Sequence, residues 1–294
     1  MNKFTIKDLE NLSGIKAHTI RIWEQRYSFL KPQRTATNIR YYSNQELKVL
    51  LNISLLNKYG FKISHINRMS NDELREKTLT LSSGQAQQER IVNELIQHMV
   101  DLDIDAFEYV IDQFVAARGI EKAITFIIFP FLERIGILWL TDHINPAQEH
   151  IITNIIRQKL LVGTENIITP FSLKTKMLLF MPENEHHELG LLFLQYLLKS
   201  KGVKIIYLGA DVPVKDLEYV VHLKKPDYIY THLTTVIKEF NFDKFLNKLK
   251  TTFPHSNILI SGLLTQTFEK KATSGNIRFL KSLPEVHEFI ATLK

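Results

Sequence analysis

The sequence predicts a multidomain protein of α and α/β type: a winged helix-turn-helix, then a four-helix bundle, then a Rossmann-like, flavodoxin-type domain built on a parallel sheet. Three observations carry this. Residues 1–77 hold 14 Lys and Arg against 7 Asp and Glu, whereas the 294-residue chain as a whole is only +6, so the basic character is confined to the N-terminal segment. Between 87 and 165, apolar residues recur at helical spacing with no strand alternation. From Lys174 onward, short apolar runs alternate with helical ones, as βα units winding a parallel sheet require. These changes of pattern place the domains at 1–75, 87–168 and 169–294, with a linker at 76–86.

Composition narrows the chemistry. Hydrophobic residues make up 45% of the chain, enough to bury a core in each domain. There is no cysteine, which excludes disulfides, thiolate zinc sites and cysteine nucleophiles and suits a cytoplasmic protein. Met1-Asn-Lys-Phe leads directly into a polar helix, so no secretory signal is expected. The longest apolar run, Ala123 to Leu132, is about half of what spans a bilayer, and it reads as bundle core, with no membrane partner.

In the N-terminal segment, Thr5 caps a short helix that Gly14 stops, and a second helix runs from Lys16 to Tyr27 with Ile20 and Trp23 facing the first. Two short helices joined by a glycine turn form a helix-turn-helix, whose second helix enters the major groove of double-stranded DNA. Lys16, His18, Thr19 and Arg21 fall at its leading end, with Arg26 and Tyr27 at its close. Phe29 to Ser43 reads as a two-stranded wing in which Arg34, Arg40 and Tyr41 suit phosphate and sugar contacts. Ser43 and Glu46 then form a capping box for the next helix. The series T-I-R-I-W-E-Q-R-Y followed by R-Y-Y-S resembles the MerR family over roughly residues 3–70. That resemblance implies a dimer on palindromic operator DNA and no catalysis. Residues 71–86 lose periodicity and end in Ser-Ser-Gly, which reads as the linker.

The helical segment places Ile91, Leu95 and Val100 on one helix, and Phe107, Val110, Ile111 and Phe114 on the next. Gly119 separates a third helix that runs to about Trp139, and a fourth starts after Asn145-Pro146. Trp139, nine intervening residues and Glu149-His150 form W-x9-E-H. Taken alone, these residues read as a core anchor and a surface pair.

Strands are predicted at 176–181, 203–208, 227–232, 257–261 and 277–280, with a last helix near 284–293. No G-x-G-x-x-G follows the first strand, which disfavours a dinucleotide. The loop after that strand carries Glu185-x-His187-x-x-Gly190, at the carboxyl edge where open α/β sheets bind ligands. A carboxylate two residues before an imidazole can orient one ring nitrogen and leave the other to ligate a metal. The motif resembles the D/E-x-H-x-x-G signature of cobalamin-binding domains, and with W-x9-E-H ahead of it the order is similar to that of the adenosylcobalamin photoreceptor repressors, the CarH and LitR group.

The resemblance implies that His187 binds cobalt, and that Trp139, Glu149 and His150 surround the adenosyl group. It also matches Gly209, Asp211, Thr231, Leu233, Ser261 and Gly262 to further cofactor-binding positions. Thr231-His-Leu233 stands at an S-x-L position. Ser261 replaces the first glycine of a usual Gly-Gly pair, which narrows the space for the nucleotide tail. Leu140 stands where some members carry a second cobalt-binding histidine, and His143 is the nearest substitute. A zinc site built from Glu149, His150, His186 and His232 lacks the short ligand spacings of structural zinc.

The expected function is a transcriptional repressor, not an enzyme, whose oligomerisation as dimer or tetramer and operator binding follow adenosylcobalamin and light. The alternative is a regulator of the same architecture that works without cobalamin through a protein partner or another ligand.

Overall fold

A computed structural model of the chain describes residues 2–140, 144–234, 240–267 and 275–294, with the backbone alone at 137–140 and 266–267. Contacts divide the chain into two compact units, Met1–Ile156 and Arg157–Lys294. Among the described residues, no helix is long and apolar enough to cross a membrane.

The first unit begins with α1 (Ile6–Ser13), which starts where Thr5 and Asp8 satisfy each other's backbone N–H groups in a capping box and stops at Gly14, whose φ of 73° needs no Cβ penalty. α2 (Ala17–Arg26) follows, and it buries Ile20 and Trp23 as its spacing predicts. Strands β1 (Gln33–Arg34) and β2 (Arg40–Tyr41) pair antiparallel as the wing. Ser43 and Glu46 cap α3 (Asn44–Lys58), which buries a continuous row of aliphatics.

After α4 (Ile63–Ile66), the span predicted as a linker is largely helical: α5 (Asn71–Leu79) occupies its first half, and α6 (Gly84–Asp101) begins four residues after α5 ends. A Ser70–Glu73 capping box starts α5, and Leu74 and Thr78 alone are its buried residues, so it leaves little hydrophobic pattern in the sequence.

Helices α7 (Ile104–Arg118) and α8 (Ile120–Ala123), a π-helical turn (Ile124–Ile128), α9 (Phe129–Leu140) and α10 (Pro146–Glu165) complete the helical segment. The segment packs directly on α1 and α3. Asn44 Nδ2 donates to the Val100 carbonyl at 2.9 Å and Asn93 Nδ2 to that of Leu51 at 3.3 Å. Arg134 on α9 donates to Asn93 Oδ1 at 2.6 Å and to the carbonyl of Leu12. Burial pushes the Arg134 guanidinium down to about 10, so it stays charged at neutral pH.

The second unit holds a parallel sheet of β3 (Lys176–Pro182), β4 (Lys204–Val212), β5 (Tyr228–His232), β6 (Asn257–Ser261) and β7 (Ile277–Leu280) in the order β4-β3-β5-β6-β7. This is the flavodoxin-type winding, with its order reversing between β3 and β5. Helices α11 (Leu189–Ser200), α12 (Val214–Lys224), α13 (Phe242–Thr252), α14 (Leu264–Thr267) and α15 (Leu283–Ala291) alternate with the strands. Leu178, Phe180, Ile229, Leu233, Ile258 and Ile260 meet Leu217 of α12 and Phe245 and Leu249 of α13 in one apolar core.

β4 runs four residues beyond its predicted end. Register shifts against β3 after Leu179 and Phe180 let the pairing continue past Gly209 and Asp211, which take φ of 84° and 58°.

Candidate functional site

Two sites emerge, one in each unit. In the first, Lys16, His18, Arg21 and Arg26 lie exposed on α2 and its N-cap, with Thr19 and Tyr27 half-buried. Lys16 Nζ reaches Glu10 at 3.2 Å, an exposed pair that holds the lysine at the leading end of the helix. The wing is stiffened internally. Arg34 donates to the side chain of Asn38 at 2.8 Å, Tyr41 donates to Gln33 at 2.5 Å, and Arg40 pairs with Glu24 of α2 at 3.3 Å.

Glu24 also accepts the hydroxyl of the fully buried Tyr42, whose pKa is pushed up by burial and by that carboxylate. The Glu24 carboxylate thus ties the wing to the second helix. Tyr27 stacks on Phe29 at 5.6 Å, and Trp23 meets Phe29 edge-on at 5.9 Å, which fixes the chain leaving α2.

The second site lies at the carboxyl edge of the sheet, beside the switch in strand order. Glu185 is 1% exposed. Its Oε1 accepts the backbone N–H of His187 at 3.0 Å and contacts His187 Nδ1 at 2.7 Å, and its Oε2 accepts the N–H of Thr234 at 3.2 Å. An ionised carboxylate only accepts, so Nδ1 carries the hydrogen and the ring's lone pair is placed on Nε2. The His187 side chain is 52% exposed, so a buried carboxylate orients an imidazole that opens to the outside.

The loop is moored to β4: Asn184 N–H donates to Asp211 Oδ1 at 2.8 Å and Asp211 N–H to the Glu185 carbonyl at 3.3 Å. His186 is exposed. Glu188 accepts from Tyr207 at 2.7 Å and pairs with Arg157 at 2.6 Å, and burial together with Glu188 raises the tyrosine's pKa. Gly209 backs onto this cluster, where an added Cβ would lie 3.3 Å from Glu188.

Strands β5 and β6 complete the edge. Thr231 is fully buried, and its Oγ1 has no hydrogen-bond partner among the described residues. Leu233 belongs to the apolar core, and its backbone lies so close to Gly262 that an added Cβ would sit 2.2 Å from the Leu233 carbonyl oxygen, which explains the retained glycine by packing. His232 shares a 2.7 Å hydrogen bond with Ser261. Its ring presses on Gly190, where an added Cβ would fall 2.3 Å from Nε2. Burial pushes the imidazole down to about 4, although the Glu185 charge opposes this, and His232 is therefore neutral.

The structure brings together Glu185, His187, Gly190, Asp211 and Ser261, and places Thr231, Leu233 and Gly262 on the adjoining strand ends. Glu149 is half-buried and His150 exposed in the first turn of α10, which is anchored by Gln148 Nε2 donating to the Met99 carbonyl at 3.0 Å. The side chains of Trp139 and Leu140 lie outside the described residues, as does His143. Among the described residues, no group of three His, Asp or Glu is placed to hold a metal, and none supports the zinc alternative. His232, Arg157 and Tyr207 were not predicted as site residues, because each acts through partners distant in sequence.

The residues fit a cobalt ligand better than they fit a bulky tail. The Glu185–His187 pair is an oriented donor, and the buried Thr231 hydroxyl is unpartnered among the described residues, but the His232 ring fills the place against Gly190.

Comparison with known proteins gives two family matches, both in the first 162 residues. Residues 4–73 match the MerR HTH family regulatory proteins, and residues 91–162 match the B12 binding domain. The chain is 27% identical over 258 residues to the HTH-type transcriptional repressor CarH of Myxococcus xanthus, covering 85% of each chain. It is 28% identical over 227 residues to CarA of the same organism, covering 76% of this chain and 74% of that one. In fold, it is similar to the monomethylamine corrinoid protein of Methanosarcina barkeri, at a TM-score of 0.54 and 14% identity over 69% of this chain and 97% of that one. The chain thus joins a segment that matches MerR HTH family regulatory proteins to one that matches the B12 binding domain, and is similar over most of its length to CarH and CarA.

Proposed function

We propose that the protein is a DNA-binding transcriptional repressor, not an enzyme, whose assembly and operator binding are set by adenosylcobalamin and by light. The observation that carries this reading is a buried carboxylate holding an outward-opening imidazole, Glu185 on His187, in the same chain as a winged helix-turn-helix. The relatives named as repressors support the DNA-directed half, and the B12-binding match supports the cofactor class.

In this reading His187 holds cobalt through Nε2 while Glu185 fixes the ring, and Thr231 offers its buried hydroxyl to the cofactor's tail. Trp139, Glu149 and His150 take the adenosyl side, and Gly190, Gly209, Asp211, Leu233, Ser261 and Gly262 shape the surrounding edge. When bound, the cofactor would supply a light-sensitive cobalt–carbon bond. Lys16, His18, Thr19, Arg21, Arg26 and Tyr27 meet the operator's major groove, and Arg34, Arg40 and Tyr41 its backbone. A palindromic operator engaged by a dimer or tetramer gains affinity through effective concentration, with no new base contact. The ligand shifts assembly only by binding one state better than the other. The working compartment is the cytoplasm, and the domains are 1–75, 87–168 and 169–294.

The test mixes the full chain with adenosylcobalamin in the dark. The corrin spectrum and particle size are expected to change, green light to reverse the size change, and His187→Ala to abolish both. An unchanged spectrum and size, with His187→Ala behaving like wild type, overturns the proposal. A second reading, a regulator independent of cobalamin, is favoured by one observation: the His232 ring fills the room that Gly190 leaves. It predicts operator binding that is indifferent to corrinoid and light.

A further inference from the structure

The contact between His232 and Gly190 links three elements that the sequence keeps apart. Gly190 lies in the first turn of α11, His232 ends β5 and Ser261 ends β6. The ring lies against the bare Cα of the glycine, and the Ser261 hydroxyl, which pairs in register with it across the strands, pins Nδ1 at 2.7 Å. A side chain at Gly190 or a glycine at position 261 would each break this arrangement, the first by collision and the second by removing the pin.

Two residues further on, the N–H of Thr234 is held by Glu185, the carboxylate that orients His187. The ring therefore occupies the space next to the metal-binding loop and hangs on one hydrogen bond and one χ rotation. Such a side chain can swing out at modest cost, since a single hydrogen bond contributes about 0.5–1.5 kcal/mol net and the freed ring regains water.

We propose that His232, pinned by Ser261, is a specificity gate beside Gly190 that sets which corrinoids the protein takes up, favouring those with a small or absent lower nucleotide base over those with a bulky benzimidazole tail. The inference rests on the cobalamin reading above and deepens it. A corrinoid without a nucleotide needs only His187 and leaves the gate closed. A complete one has to displace the imidazole and break its bond to Ser261, and that work is subtracted from its affinity.

The experiment titrates the full-length protein in the dark with adenosylcobinamide, which has no nucleotide, and with adenosylcobalamin, following corrin absorbance. Wild type is compared with His232→Ala, Ser261→Gly and Ser261→Ala, the last keeping most of the side-chain volume while removing the pin. Thermal melts confirm that each variant is folded. Wild type is expected to favour adenosylcobinamide by about tenfold or more, and each variant to bring the two affinities together chiefly by tightening adenosylcobalamin, by about tenfold for the loss of one pinning bond. Equal affinities in wild type, or a ratio unmoved in folded variants, overturn the gate and leave the cobalamin reading standing. Failure of every folded form to take up either corrinoid overturns the cobalamin reading and the gate with it.

Discussion

Replacing Glu185 by Gln keeps the shape of the carboxylate and removes its charge. Donors from His187 and Thr234 meet this group at 3.0, 2.7 and 3.2 Å, and the residue is almost fully buried. An amide presents one oxygen and one NH2. Whichever way it is placed, the NH2 faces a donor: either the Thr234 N–H or the two from His187. Leaving a buried donor unmatched costs about 1–3 kcal/mol, and a hydrogen bond that loses its charged acceptor weakens as well. The second unit is therefore expected to lose about 1–3 kcal/mol of stability in urea melts. The His187 ring, no longer held to one tautomer and one orientation, is expected to lose about 10- to 100-fold in affinity for the corrinoid. The assay is titration of adenosylcobalamin in the dark by absorbance, with His187→Ala as the limiting case. Affinity within about threefold of wild type, together with unchanged stability, would refute the argument that Glu185 organises the site.

Gly190→Ala is expected to destabilise the fold by about 0.5–1.5 kcal/mol, because its Cβ would fall 2.3 Å from the His232 ring and drive it off Ser261, and His232→Ala in the same chain is expected to remove that coupling. A double-mutant cycle without coupling would contradict that contact. His232 itself makes stability fall as the pH is lowered: its folded pKa, about 4, lies below the ordinary 6.5, so between these values the unfolded chain takes up a proton that the folded site refuses. Stability is fully present above pH 6.5 and declines towards pH 4 until the protonated ring swings out to water, which limits the loss to about 0.5–1.5 kcal/mol, and this part of the profile is expected to flatten in His232→Ala. On the DNA side, Arg21→Ala and Arg26→Ala remove exposed charges, so stability should stay within about 0.5 kcal/mol. Operator affinity should fall, with the slope of log affinity against log salt reduced by about 0.9 for each phosphate that is no longer neutralised. An unchanged slope would remove these residues from the interface.

Much of this architecture is legible in the sequence because it rests on local rules. Gly14 and the Thr5 and Ser43 boxes punctuate helices where such residues should, and the apolar runs of β3, β5 and β6 announce central strands buried on both faces. The Glu185–His187 pairing is equally local, being two residues apart on one loop. The features that a sequence hides are long-range or weakly apolar. Helix α5 hides because it buries Leu74 and Thr78 alone. The change to Ser261 is visible in the sequence, but its partner is 29 positions away, and the glycine they crowd lies on a third element. The extension of β4 past Gly209 depends on register shifts that no single-strand pattern encodes.

Arg134 has a further consequence for how the DNA-reading head is held. It sits on α9, five residues before Trp139 on the same helix, and grips the carbonyl of Leu12, two residues before the Gly14 bend that aims α2. The same guanidinium donates to Asn93 of α6, so one buried cation fastens α9 to α1 and α6 at a single point, and losing it would leave two buried acceptors unmatched at the base of the DNA-reading head.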